Sequence, residues 1–458
     1  MSSPDLSGSI SRHARLDIAT EIDSSPISAL QRRVLALCAF VALIEGFDIQ
    51  AVAYVAPVLR SEVGIEAGAI GWIFGAFLTG AAAGSMVIGP LADKFGRRPL
   101  LIGSTLVFGI GAIATIWCSS VESFLAVRFL TGLGVGGAAA LIVPLTYEYT
   151  PQRLRSTAAM TMLAGLPIGS VSGGILSTWL VPAFGWQSVF LVGGVLPILT
   201  AAIMTLLLPE SIRFLSAKGR DSEKILTIMH RISPSLPVDR DTVFYFEEEG
   251  LSGGSGVTAL FSEGRAGTTV FVWCAMFANY AVFYFLASWI PSLITAAGSS
   301  LSVAILAGTV FSLGGIAAAL SLGKLMDKVA RPAIVLACAS TVAVVSILSI
   351  PAILPSIAPT FIAILLLGMG SGGTQLGIIT LSGQLYPTMV RSTGVGWALG
   401  VGRIGSIISP VVGGLLISTG WGAEALFSAA ALPALMSLGA LLALAAIRPD
   451  SRIRPIDG

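Results

Sequence analysis

The sequence predicts an all-α integral membrane protein: twelve transmembrane helices forming two six-helix bundles with pseudo-two-fold symmetry. Three observations predict it: an apolar composition, twelve apolar windows of spanning length, and an internal repeat. Of 458 residues, 55% are hydrophobic and only 11% charged, whereas soluble domains carry about 25% charged residues. One soluble core, disorder and collagen are thereby excluded. Glycine is abundant, at 53 residues, as expected where helices pack closely inside a bilayer.

Residues 1–33 form a polar tail without a signal-peptide core, so the first apolar segment is expected to stay as an anchor. A spanning helix needs about 20 mostly apolar residues. Such windows fall at 34–58, 69–91, 99–118, 121–146, 156–181 and 187–208, then 268–296, 301–325, 332–353, 359–385, 392–418 and 424–446. The domains read from them are an N-terminal bundle (34–208), a polar central loop (209–267), a C-terminal bundle (268–447) and a tail (448–458). The loop holds the acidic run Glu247 to Glu249 and the flexible stretch Ser252 to Gly256, and its helix-like piece Lys218 to Ile232 fits a membrane surface. Cys38, Cys118, Cys274 and Cys338 sit singly in apolar runs, which argues against a disulfide framework or a zinc site.

Basic residues divide unequally between the two sides. Arg60 alone lies in the turns opposite the tails, against 23 on the tail side, with Arg128 and Arg403 inside spans. The positive-inside rule then puts both termini and the central loop in the cytoplasm of a cell with this protein in its inner membrane. A net charge of +2 carries no nucleic-acid signal.

The chain repeats itself. Gly89-x-Leu91-x-Asp93-Lys94-x-x-Arg97 recurs as Gly323-x-Leu325-x-Asp327-Lys328-x-x-Arg331. Gly132-x-Gly134-x-Gly136-Gly137 recurs as Gly368-x-Gly370-x-Gly372-Gly373, and Pro151-x-x-x-Arg155-Ser156-Thr157 as Pro387-x-x-x-Arg391-Ser392-Thr393. Six helices followed by six in the same order make a parallel repeat, the plan of transporters with a midplane site between two halves.

The chain resembles the major facilitator superfamily over nearly its whole length. Gly89-Pro-Leu-Ala-Asp93-Lys-Phe-Gly96-Arg97-Arg98 is similar to that family's loop between helices 2 and 3, and Pro209-Glu210-Ser211-Ile212-Arg213 to the segment closing helix 6. Glu45-Gly46-Phe47-Asp48 resembles the Asp-Gly-aromatic-Asp of the aromatic acid:proton symporters. Arg128, Glu148 with Arg155, and Gly402-Arg403-Ile404-Gly405 fit the same group. Glu45 departs from the group's usual Asp, and its longer arm changes reach. The resemblance implies proton-coupled import of an aromatic or related organic carboxylate by alternating access. It also implies a cytoplasmic charge lock holding the outward-open state, made of Gly89, Asp93, Gly96, Arg97 and Arg98, their echoes Asp327 and Arg331, and Glu148, Arg153, Arg155 and Arg391. Topogenic charge alone is the plainer account of that loop.

Intramembrane charge costs about 2.5–3.5 kcal/mol per residue on insertion scales and commonly faces a cavity or partner. Only Glu45, Asp48, Arg128 and Arg403 lie well inside spans. A rise of about 1.5 Å per residue places Asp48 near the depth of Arg128 and Glu45 near that of Arg403. The repeat aligns Arg128 with Ile364, Arg403 with Pro167 and Glu45 with Asn279, so these charges are not shared scaffold. Asp48 is expected to pair with Arg128 and Glu45 to face Arg403, either for transport or simply to fix helix packing. The two histidines, His13 and His230, lie in the tail and loop, so Glu45 and Asp48 are the candidates for proton coupling. Arg128 and Arg403 would grip a carboxylate.

Trp273, Phe277, Tyr280 and Tyr284 run down the seventh span beside Asn279. They would stack an aromatic ring or simply pack. Gln375 would hydrogen-bond a ring hydroxyl or a neighbouring helix. The glycine runs lie inside spans without a preceding strand, which favours close packing over a nucleotide site. No Walker motif, catalytic constellation or cofactor site is visible. The expected partners are a small organic carboxylate, protons and lipid, with no nucleic acid, and the chain is expected to be a monomer. Two other readings stay open: a proton-driven exporter, since Gly169-Ser170-x-x-Gly173-Gly174 differs by one residue from an exporter-like motif, and a non-transporting receptor.

Overall fold

The computed structural model describes residues 15–218, 222–234, 243–245, 257–329, 331–354 and 356–447. Twelve of its helices are long and apolar enough to cross a membrane. They are numbered here α1 (Ala29–Ser61), α2 (Ala67–Phe95), α3 (Arg97–Ala114), α4 (Val121–Glu148), α5 (Arg155–Leu163 and Gly165–Phe184) and α6 (Gln187–Leu207) in the first half. The second half holds α7 (Ala266–Ala296), α8 (Leu301–Lys328), α9 (Pro332–Ile353), α10 (Ile357–Leu385), α11 (Thr388–Ser418) and α12 (Ala423–Ile447). Several begin a few residues earlier than hydropathy alone suggests, and at α1 a polar cap extends the helix. Ser28 and Gln31 form a capping box that starts α1 five residues before its apolar window.

The repeat survives in three dimensions. A Cβ at Gly132 of α4 would lie 2.0 Å from the Phe77 carbonyl oxygen of α2, and one at Gly368 of α10 2.1 Å from that of Phe311 in α8. The glycine runs therefore let backbones touch. Arg155 Nε donates to the Thr150 carbonyl at 3.4 Å, and its echo Arg391 Nε to the Tyr386 carbonyl at 3.4 Å.

The tail and central loop are more structured than their polarity suggests. Arg15–Asp17 pairs in parallel with Val243–Tyr245. The helices Ile18–Ser24 and Ser222–Ile232 bury Ile18, Ile22, Ile225, Met229 and Ile232 against α1 and α4. The amphipathic piece thus packs on the first half rather than merely lying on a membrane. The acidic run and the Ser252 to Gly256 stretch lie outside the described residues.

The two halves meet unevenly. Away from the central loop they are clasped. A Cβ at Gly71 of α2 would lie 2.7 Å from the Pro410 carbonyl oxygen of α11, and the Phe74 and Trp289 rings meet edge-on at 5.7 Å. Gln50 Nε2 donates to the Ala287 carbonyl at 3.4 Å. Towards the central loop the same stripe of α2 is bare: Met86 is 76% exposed, and a Cβ at Gly89 would meet nothing within 4 Å. Gly396 and Gly400 on the facing part of α11 are equally unobstructed. The halves are closed at the far face and parted at the loop face.

Candidate functional site

The i, i+3 spacing of Glu45 and Asp48 puts both carboxylates on one face of α1. Asp48 is fully buried and accepts from Arg128 of α4 with both oxygens, Oδ1 from Nη1 at 3.1 Å and Oδ2 from Nη2 at 3.2 Å. Nη2 also reaches the Asp48 carbonyl at 3.4 Å. The guanidinium lies 4.5 Å from the Phe77 ring centroid and 5.7 Å from that of Phe190. Two parallel bonds and two ring faces compensate a charge pair that would otherwise be costly at this depth.

The second expected pair is not latched. Glu45 is buried and within electrostatic range of Arg403, yet its Oε2 has no hydrogen-bond partner. Arg403 of α11 is half-buried, and its guanidinium makes no hydrogen bond or ion pair among the described residues. One carboxylate–guanidinium pair is thus latched through both Nη atoms, with Arg128 Nε unpartnered, and the neighbouring one is open.

The aromatic stripe of α7 divides. Tyr280 and Tyr284 stack in tilted fashion at 5.9 Å beside Arg403 and Gln375, with Gln375 next to the Tyr280 hydroxyl. Trp273 instead stacks on Trp397 of α11 at 5.8 Å. Phe277 lines an apolar crevice between α7, α11 and α12. The four side chains share one face but span about three turns of α7, and only the second pair reaches the charges. Asn279 donates to the Ser371 carbonyl of α10 at 3.2 Å while its Oδ1 is unpartnered. It holds two helices together at the place where the other half carries Glu45.

At the loop face, Glu148 closes α4 and takes a charge-assisted bond from Arg97 and another, at 2.5 Å, from the Ser211 hydroxyl. Glu210 Oε1 accepts from the backbone N–H groups of Arg97, Arg98 and Ser211 at 2.9, 3.0 and 2.8 Å. A carboxylate is favourable at this helix start. Gly96 makes the sharp turn possible: its φ is +100°, and a Cβ there would meet Glu210 Oε2 at 2.5 Å. Nearby, burial and then the Glu148 and Glu210 charges hold the Tyr149 phenol well above its ordinary pKa, while its hydroxyl donates to the Glu210 carbonyl at 2.6 Å.

Other members of the expected lock are placed differently. Arg98 donates to the Thr205 carbonyl at the end of α6. Arg153 turns away to the Asp23 and Ser25 carbonyls of the tail, so it is not part of the Glu148 network. Asp93 is exposed with no hydrogen bond or ion pair among the described residues. Arg331 and Arg391 are exposed. The Asp327 side chain lies outside the described residues. The far-face clasp of Gln50, Phe74 and Trp289 was not foreseen. Its only sequence signal is small residues, Gly71 and Gly75, at one-turn spacing on α2.

The family model of the Major Facilitator Superfamily matches residues 38–230 and 272–457. The chain belongs to that superfamily. It is therefore a multi-pass membrane transporter and not an enzyme. It is 34% identical to the 4-hydroxybenzoate transporter PcaK of Pseudomonas putida over 92% of this chain and 94% of that one. It is 32% identical to the gallate transporter of the same organism, over 92% and 93%. The solved D-xylose-proton symporter superimposes with a TM-score of 0.70 at 15% identity, covering 90% of this chain and 97% of that one. This likeness supports the fold.

Proposed function

We propose that this superfamily member imports a hydroxylated aromatic carboxylate together with protons, across an inner membrane with the central loop and both termini cytoplasmic. The structure is then an inward-open state. The observation that carries the reading is the open pair: Glu45 and Arg403 lie near each other without a mutual hydrogen bond, between halves parted on one side. A planar guanidinium without a partner suits a carboxylate, which it binds with two parallel bonds. Tyr280, Tyr284 and Gln375 beside it supply ring faces and polar groups for a phenol. The names of the curated relatives, which carry 4-hydroxybenzoate and gallate, agree in substrate class.

Proton coupling follows from the latched pair. Substrate bound at Arg403 draws that charge away from Glu45, which then takes a proton. Protonation of Asp48 releases Arg128, and reformation of the bidentate pair expels the proton on the cytoplasmic side. Asp93, without an ion partner among the described residues, closes the cytoplasmic side when the halves rock together, and the Arg97–Glu148–Glu210 cluster holds α3 and α4 in register for it. The test is uptake of labelled 4-hydroxybenzoate, cinnamate, sugar and amino acid by proteoliposomes, with and without an imposed pH difference. The reading requires uptake of the aromatic acid and its acceleration by an acidic exterior. Sugar uptake alone, or insensitivity to the gradient, would sink it.

A further inference from the structure

A charged cavity sits on the face opposite the central loop. It is an open cleft of about 690 Å³ walled by both halves, by the turn between α1 and α2 on one side and the ends of α7 and α11 on the other. Arg60 lines it. The other charged side chains at that face are acidic: Glu62, Glu66, Glu122 and Glu424, of which Glu66 lines the same cavity. Arg60 is exposed and makes no hydrogen bond or ion pair among the described residues.

Among the hydroxyls lining the cavity, one donor is uncommitted. The hydroxyls of Ser61, Thr295 and Ser418 donate to carbonyls of their own helices, Pro57 at 3.2 Å, Pro291 at 2.9 Å and Leu415 at 2.8 Å. Ser292 is only 3% exposed, and its Oγ has no partner. It lies one turn beyond Trp289, so the cavity is seated directly on the far-face clasp. A cavity of this size falls in the range that takes small organic ligands.

We propose that Arg60 and Ser292 form a capture site for an organic carboxylate on the outer face, filled before the clasp parts. An anion approaching a face of carboxylates finds one attractive point there. That point stands over the passage that opening would join to Arg403. The site rests on the import reading above and adds an outer station to it. Focused charge of this kind raises association rates and is screened by salt.

The test is initial-rate uptake of labelled 4-hydroxybenzoate by right-side-out and inverted membrane vesicles carrying the full chain, at low and high ionic strength. In right-side-out vesicles Arg60→Gln is expected to raise KM about three- to tenfold at low salt, with maximal rate unchanged and the difference shrinking at high salt. Arg60→Lys should recover much of the loss, and Ser292→Ala should raise KM in the same sense. Inverted vesicles, which present the loop face, should show no difference. Unchanged kinetics for Arg60→Gln while the unaltered protein transports would overturn the capture site alone, as would an equal loss in inverted vesicles. Absence of uptake by the unaltered protein would remove the import reading and the capture site with it.

Discussion

Arg128 holds both carboxylate oxygens of Asp48, at 3.1 and 3.2 Å, on side chains that are 1% and 0% exposed. Removing one partner of such a pair leaves an uncompensated buried charge and costs about 3–5 kcal/mol. Asp48→Asn is therefore expected to lower thermal stability in detergent and to abolish gradient-driven uptake. The double variant Asp48→Asn with Arg128→Gln should regain much of the stability and none of the coupled uptake. A thermal shift assay beside proteoliposome uptake separates the two effects. Recovery of uptake by the double variant would show that the pair only fixes packing.

Arg403 has the opposite profile, since nothing in the described protein holds its guanidinium. Arg403→Gln should leave the melting temperature nearly unchanged. Losing a charged hydrogen-bonding partner, about 1.5–3 kcal/mol, should weaken equilibrium binding of 4-hydroxybenzoate by roughly ten- to a hundredfold. Arg403→Lys should recover only part, because an ammonium cannot make the bidentate contact. Isothermal titration against the purified variants reads both, and wild-type affinity in Arg403→Gln would move the carboxylate site elsewhere.

Two acidic residues of the loop face, Glu148 and Asp93, should also behave differently. Glu148 is tied to Arg97 and Ser211, so Glu148→Gln is expected to destabilise the first half and reduce the yield of folded protein. Asp93 has no hydrogen bond or ion pair among the described residues. Asp93→Asn should leave stability and substrate affinity alone while slowing turnover at least tenfold. Equal losses of binding and turnover would argue against a gate.

The scaffold was legible in the sequence because hydropathy, charge asymmetry and the repeat all report on membrane depth and chain order, which the fold preserves. Asp48 and Arg128 were legible for the same reason: matched depth leaves a buried charge few partners. A shared helix face does not determine which neighbours each residue meets: Trp273 and Phe277 share the face of Tyr280 and Tyr284, yet pack on Trp397 and into the α11–α12 crevice, away from the charges. Arg153 looked like a member of the Glu148 network because it is near in sequence. Its partners, the Asp23 and Ser25 carbonyls, belong to a tail whose packing is set by tertiary contacts of Ile18 and Ile22.

The far-face clasp was hidden for a related reason, since it depends on which residues are small rather than on which are charged. Gly71 lets α2 approach α11 so closely that any Cβ there would collide with the Pro410 carbonyl. Backbone cannot yield as a flexible side chain can, so Gly71→Leu should hold the far ends apart. The parted loop face, where Met86 is exposed, should then close. In a Cys338→Ser background, Met86→Cys is expected to react readily with an impermeant maleimide in inverted vesicles, and several-fold more slowly once Gly71→Leu is added. Net uptake should fall while binding of 4-hydroxybenzoate in right-side-out vesicles persists, which distinguishes a shifted conformation from a misfolded one. Undiminished Met86→Cys labelling in a folded Gly71→Leu variant would mean that the clasp and the loop-face opening are not coupled.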